Sequence, residues 1–366
     1  MRIAFALPGL HRTWRGAEVA FTSVGAELAR RGHEVTLIGS GPPLADTSYR
    51  FLSAKLIQRE RFERFPSFPA FRNETSWEEA SFVPSFLGVY RPQDYDATLA
   101  CSYPFLNWTL RARRHKGRRP AHVFVTQNGD WPARANNSEY RFFGCDGIVG
   151  INPDFYEACR GRFASVLIPN GVDLTRFRPG ASNRALFGLP DAVPLVLMVS
   201  ALIESKDVGT GIEAVSRLRD VHLVVAGDGP LRDELREHAQ RLMPGRYHNL
   251  TTTPNRMPDL YRSADLFMHL AREEAFGNVF VEAMASGLTT VSWDLPRTRW
   301  ITGPTGRLVP EGDLASLAGA IESALGSGDE LEALSRRAEH FSWERIGGRY
   351  EEFIAEVVAR RSKAQG

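Results

Sequence analysis

REEAFGNVFVEAMASG, residues 272–287, sets a glycine at each end of a short apolar segment. Gly277 opens what reads as a helix and Gly287 closes it. Val279, Phe280, Val281, Ala283, Met284 and Ala285 cover nearly every direction around its axis, which places the helix inside a domain. Asn278, Glu282 and Ser286 nevertheless recur every four residues as one polar stripe. A carboxylate does not stay charged in an apolar core without partners, so the stripe faces either water or a polar ligand. Glu274 lies eight residues before Glu282, just ahead of the helix. Phe276-Gly277-Asn278 stands at the helix N-terminus, where free N–H groups and the helix dipole favour an anion such as phosphate.

Working outward, ADLFMHLA (264–271) leads into this segment as a strand and TTVSWD (289–294) follows it as another. The same alternation precedes them: PLVLMVSAL (194–202), helix 209–218, VHLVVAG (221–227), helix 231–243. It also opens the chain, with strand 2–7, helix 17–31 stopped at Gly32, and strand 34–39. Further strands read at 97–102, 122–127, 147–152 and 165–170. Alternating strands and helices imply parallel sheets covered on both faces. GVDLTRFRPGASN (171–183) reads as a linker, and the chain finishes in helices at 314–325 and about 343–361. The expected fold is α/β, with two Rossmann-like domains facing each other across a cleft. Residues 1–170 form the first, 171–342 the second, and the last helix, 343–366, returns to the first.

The composition supports this class. The chain has 366 residues, 43% hydrophobic and 24% charged, enough for two cores. A net charge of +2 gives no reason to expect nucleic acid as the main partner. Cys101, Cys145 and Cys159 have no metal-ligand spacing, and three cysteines fit a reducing cytoplasm better than a disulfide framework. The N-terminus has no signal-peptide pattern, and no run approaches the roughly 20 apolar residues of a membrane span.

Ligands of such sheets bind outside the carboxyl ends of strands. After strand 2–7, Gly16 precedes a helix whose early Glu18 suits the positive dipole end. After strand 194–202 comes Lys206, one of only four lysines, read either as a phosphate-pairing ammonium or as a surface group. The GDGP after strand 221–227 is explained by turn geometry. Asp94-Tyr95-Asp96 precedes a strand and reads as a turn rather than a metal site.

Taken together, E-A-F-G-N-V-F-V-E-A-M-A-S-G resembles the E-x7-E signature of retaining nucleotide-sugar glycosyltransferases of the GT-B fold, in particular glycosyltransferase family 4. IPNGVDLTRFRPG, VVAGDGPLRDEL, MPDLYRSADLF, FSWERIGGRYEEF and GHEVTLIG also resemble family segments, in the family's order. The resemblance implies a sugar transferase that needs no cofactor and uses a nucleotide-diphosphate sugar (UDP-, GDP- or dTDP-linked) as co-substrate. It implies catalytic roles for Glu274 and Lys206, the first holding sugar hydroxyls and the second pairing with the pyrophosphate. Glu282 would take the ribose hydroxyls. Phe276, Gly277 and Asn278 would meet the pyrophosphate, Arg256 and Met257 would lie near the base, and Gly16 would sit across the cleft. Metal-independent transfer with retention is expected, with no metal site.

The sequence departs from the family in three places. An arginine five residues before the lysine is replaced by Ala201, a histidine after the 122–126 strand by Gln127, and a Gly-Gly by Arg15-Gly16. Arg15, or Arg12, is therefore expected to reach across the cleft and supply the cation missing at Ala201. Arg15, Gln127 and Asn128 are the acceptor-side candidates. The acceptor is expected to be a glycan, lipid-linked or small-molecule hydroxyl. The aromatic-rich segment 59–90 and RARRHKGRR (111–119) suggest peripheral contact with the inner membrane face, against a plain reading as core aromatics and a solvated basic loop. The alternative function is a GT-B sugar-nucleotide-binding protein without transfer, or with altered activity. A phosphorylase would want a pyridoxal lysine, and a dehydrogenase a G-x-G-x-x-G that PGLHRTWRG does not supply.

Overall fold

The structure, a computed structural model, describes residues 1–127, 142–326 and 331–365. It divides into two compact units, Met1–Asn170 with Trp343–Gly366, and Gly171–Ser342.

Unit 1 is built on seven parallel strands: β1 (Arg2–Ala6), β2 (Glu34–Gly39), β3 (Arg50–Ser53), β4 (Ala97–Ala100), β5 (Ala121–Val125), β6 (Gly147–Gly150) and β7 (Ser165–Leu167). Their order is β3-β2-β1-β4-β5-β6-β7. Unit 2 has six: β8 (Leu195–Val199), β9 (His222–Ala226), β10 (Tyr247–Leu250), β11 (Leu266–His269), β12 (Thr290–Trp293) and β13 (Gly306–Val309), in the order β10-β9-β8-β11-β12-β13. Central strands are apolar on both faces because helices cover both; Ile3, Phe5, Leu195, Val196, Leu197 and Phe267 are all fully buried. In each sheet the order reverses once beside the first strand, between β1 and β4 and between β8 and β11.

The sequence reading set several strands too long and missed β3, β10 and β13. These are four-residue strands, all three at sheet edges, with too few apolar positions for a periodic signal. In the aromatic region, α2 (Glu74–Val89) begins at an Asn73 cap whose side chain accepts from the Ser76 amide at 3.1 Å. Phe82 and Phe86 from this helix are fully buried, whereas Phe65 and Phe68 remain 49% and 46% exposed beside Trp77. The glycines of GDGP are required by packing: a Cβ on Gly227 would stand 1.8 Å from the Ser200 carbonyl oxygen, and one on Gly229 2.4 Å from that of Leu202. Asp96 accepts from the Arg2 guanidinium at 2.7 Å, which fits its reading as a structural residue.

The last helix, α12 (Trp343–Gln365), belongs to unit 1 and packs beside α1 (Gly16–Arg30) and against β5. Arg31 and His33, just beyond α1, both reach Glu351, at 3.2 and 2.9 Å. Gly147 of β6 is needed by this packing, since a Cβ there would lie 2.6 Å from Val357 Cγ2 and 3.0 Å from Phe353 Cζ. Gly147→Leu should therefore destabilise the protein by about 1–3 kcal/mol through overpacking. Denaturant titration checks this: an unchanged midpoint would contradict the packing of α12 on β6.

Candidate active site

At the carboxyl end of β8 the chain passes through Ala201, which is exposed, into a single helical turn, Glu204–Lys206. Asp207 then takes a left-handed conformation at φ 53° and turns the chain into α5 (Val208–Ser216). At the carboxyl end of β11 the loop 270–277 leads to α8 (Asn278–Ala285), whose N-cap is Gly277 at φ 91°. That left-handed turn favours glycine. These two loops come from the neighbouring strands between which the sheet order reverses, the place where such sheets receive ligands.

The Lys206 ammonium donates to Glu274 Oε1, forming an ion pair between the two loops. His269, the buried last residue of β11, brings Nε2 within 3.3 Å of the same oxygen. Burial alone would raise the carboxyl's pKa, but the His269 contact and the Lys206 charge outweigh it and hold Glu274 down to about 2. Arg297, at the start of α9 (Pro296–Thr302) beyond β12, donates to the Glu274 carbonyl oxygen and braces the loop from the other side. Lys206 and His269 thus hold the carboxylate in its ionised form, while Arg297 holds the backbone of its loop.

Glu282 has a different environment. It is half-buried in the middle of α8, and its Oε2 accepts from the Tyr261 hydroxyl at 2.9 Å. Tyr261 is fully buried in α7 (Met257–Arg262), the helix that Arg256 caps and Met257 begins. Burial raises the Glu282 pKa; the Tyr261 bond and the charge of Arg176 oppose it without cancelling it. The tyrosine leaves Oε1 to a further donor, which suits a carboxylate expected to take a vicinal diol. The predicted polar stripe is not uniform: Asn278 and Glu282 are half-buried, but Ser286 is buried. Phe276 is buried against Trp300 and Phe341, so its contribution is to pack the loop.

The acceptor-side candidates lie in unit 1. Gly16 is exposed at the head of α1, and Arg15 is the exposed N-cap before it. Arg12 is engaged within its own unit, donating to Ser40 Oγ at 3.0 Å and to Glu78 at 2.8 Å. Gln127 is buried and exchanges two hydrogen bonds with Asn170, at 2.6 and 3.1 Å. Asn128 lies outside the described residues. Among the described residues no group of three His, Cys, Asp or Glu is arranged to hold a metal ion, and no helix is long and apolar enough to cross a membrane.

His269, Tyr261 and Arg297 were not found from sequence. His269 gave one signal, as a polar residue inside the apolar run LFMHLA (266–271). Tyr261 and Arg297 act on residues 21 and 23 positions away, which no local pattern reports.

Comparison with known proteins places this geometry. The family model described as Glycosyltransferase Family 4 matches residues 14–176, and that described as Glycosyl transferases group 1 matches residues 193–327. A lipopolysaccharide core biosynthesis glycosyltransferase, LpsE of Rhizobium meliloti, is 32% identical over 258 residues, covering 68% of this chain and 74% of that protein. A GDP-mannose-dependent alpha-mannosyltransferase of Mycolicibacterium smegmatis is 26% identical over 325 residues, covering 83% and 82%. For several other relatives the match spans less than half of the relative's length. Among solved structures, sucrose-phosphate synthase from Thermosynechococcus elongatus superposes with a TM-score of 0.78 over 98% of this chain and 99% of that one, at 20% identity. With two family models in tandem and a relative matched over most of both chains, the protein belongs to glycosyltransferase family 4 and has its two-unit GT-B architecture.

Proposed function

We propose that this enzyme moves a sugar from a nucleoside-diphosphate donor to an acceptor hydroxyl, with retention of configuration and without a metal ion. The carrying observation is Glu274, kept ionised by Lys206 and His269 at the strand ends where ligands enter such a sheet. Unit 2 is read as the donor unit and unit 1 as the acceptor unit. Glu274 orients the sugar through its hydroxyls. Lys206 has donors beyond the one given to Glu274 and turns them to the diphosphate as charge develops there. The N–H groups at the head of α8 receive phosphate oxygens. Glu282 holds the ribose, set by Tyr261, with Arg256 and Met257 beside the base. The bond from the anomeric carbon to the phosphate oxygen breaks while the acceptor oxygen bonds that carbon on the same face. The acceptor's proton passes to the departing phosphate. The mannosyltransferase relative favours a GDP-linked donor; UDP- and dTDP-linked donors remain in the class to be screened.

A second reading, a sugar-nucleotide-binding protein without transfer, is favoured by the absence of a cation at Ala201 and by Gln127 being committed to Asn170. Release of nucleoside diphosphate from a donor panel separates the two readings: release supports the enzyme, and its absence across the panel supports the binding protein.

Glu274→Gln and Lys206→Ala should each lower kcat by about 10²–10³, while Glu282→Gln raises the donor KM by about tenfold through a lost charge-assisted hydrogen bond. Steady-state kinetics on the productive donor checks both effects, and an unchanged kcat in Glu274→Gln contradicts the assignment.

The two carboxylates should separate in a pH profile. Glu274 stays ionised until pH approaches about 2. Glu282, with its raised pKa, protonates first as pH falls and sets the acid-side loss of donor affinity. Tyr261→Phe removes a bond that lowers the Glu282 pKa, so the acid limb moves to higher pH; a limb unmoved or displaced downward refutes this. Transfer should persist in chelator and give a product of unchanged anomeric configuration by NMR.

The membrane reading is also carried as a proposal. Arg113, Arg114, Lys116 and Arg118 are exposed, as are Phe65 and Phe68, whereas Arg119 is tied to Asp146 at 2.6 Å. Salt-sensitive co-sedimentation with anionic vesicles supports contact with an inner membrane face; equal recovery with neutral vesicles removes it.

A further inference from the structure

The reversal of strand order that places Glu274 in unit 2 has its counterpart in unit 1, between β1 and β4. Here too a carboxylate is buried at the carboxyl ends of the strands. Glu18, in the first turn of α1, is only 6% exposed. Its Oε2 is buried and has no hydrogen-bond partner among the described residues. Its Oε1 lies against Gly9, in the loop after β1: a Cβ on Gly9 would stand 2.0 Å from Oε1 and 2.7 Å from Thr13 Oγ1. The glycine is what makes room for the carboxylate. Cys101, the first residue beyond β4, senses it as well; burial first, then the charges of Glu18 and Glu79, push its thiol well above the ordinary range.

Glu79 shows what a structural carboxylate looks like in the same neighbourhood. It is also buried, but it accepts the Leu106 amide at 2.7 Å, and the Phe105 amide, at the head of α3 (Phe105–Ala112). Glu18 has no such cap. The α1 dipole favours its charge without supplying that oxygen a hydrogen bond. A buried carboxylate oxygen left without a donor is costly, and the cost is tolerated where a ligand supplies the donor. A carboxylate accepts only, so the ligand must present hydroxyl or other N–H or O–H donors, and a phosphate is excluded by charge.

We infer that Glu18 is a ligand of the acceptor, taking hydroxyl hydrogens of a polyol or sugar and so selecting which hydroxyl is presented for transfer. This rests on reading unit 1 as the acceptor unit, and it adds to that reading a residue and a ligand chemistry. In unit 2 the carboxylate at the strand-order reversal is satisfied by the protein; in unit 1 it is left for the substrate.

The test uses the full chain with Glu18→Gln and Glu18→Ala. Binding of methyl α-mannoside, methyl α-glucoside and myo-inositol is followed by ligand-observed NMR, and Tm by calorimetry. At least one polyol should bind the wild type, with affinity reduced about tenfold or more in Glu18→Ala. Glu18→Gln should match or exceed the wild-type Tm, by up to about 2–4 °C, because a charge without a partner has been removed. Whether a glycoside or the cyclitol binds distinguishes a sugar acceptor from an inositol-like one. The inference is overturned if no probe binds the wild type, if all bind Glu18→Ala equally, or if Glu18→Gln lowers Tm, which would reveal a structural partner. Donor hydrolysis in water is measured alongside. Its loss in the wild type sinks the proposed function, whereas intact hydrolysis with any of the overturning results sinks only the role of Glu18.

Discussion

Val196 and Leu197 of β8 pair with Leu266 and Phe267 of β11, and all four side chains are fully buried. Covered on both faces, this pair of strands is apolar along its length up to His269. Polar chemistry is displaced to the strand ends, and there it must come from loops. Because the order reverses at this pair, the crossovers leave β8 and β11 on opposite sides and their loops spread apart. Lys206 and Glu274 meet where the loops open, although 68 residues separate them in the chain. His269 joins them because it is the last residue of β11, packed in the sheet yet at the strand end where the loops begin.

The two carboxylates of the signature, eight residues apart, show how environment assigns roles to one residue type. Glu274 is surrounded by groups that prefer it charged and is held down to about 2. Glu282 has one neutral hydroxyl donor and more burial than compensation, so its pKa rises. A carboxylate locked in its charged form is a fixed electrostatic feature. One whose desolvation is not offset stands to gain most from a ligand that brings hydrogen-bond donors.

Much of this was legible in the sequence, and the boundary is physical. Gly277 and Gly287, the apolar majority of α8 and the positions of Glu274 and Glu282 follow from local rules about turns and helix faces. The alternation that predicted both sheets reflects strands long and apolar enough to dominate their windows, as β1, β8 and β9 are. Edge strands such as β10 carry half-buried residues and gave no such signal. The partners of site residues were hidden for another reason. Tyr261 reads as one more aromatic in a helix and Arg297 as one more arginine among many; only the fold brings them to Glu282 and Glu274. The reciprocal bonds of Gln127 with Asn170 were hidden in the same way, being a contact 43 residues away.

Unit 2 begins and ends at one spot: the Val172 amide donates to the Phe341 carbonyl at 2.8 Å, and Val172 bridges Ser342. Topologically it is an insertion into unit 1, with its two ends hydrogen-bonded together. A chain made from its N-terminus therefore finishes the sheet of unit 1 long before it makes α12. The surface of α1 and β5 that α12 covers can be closed only after residues 343–365 have been made, so the first unit is completed after the second has been synthesised.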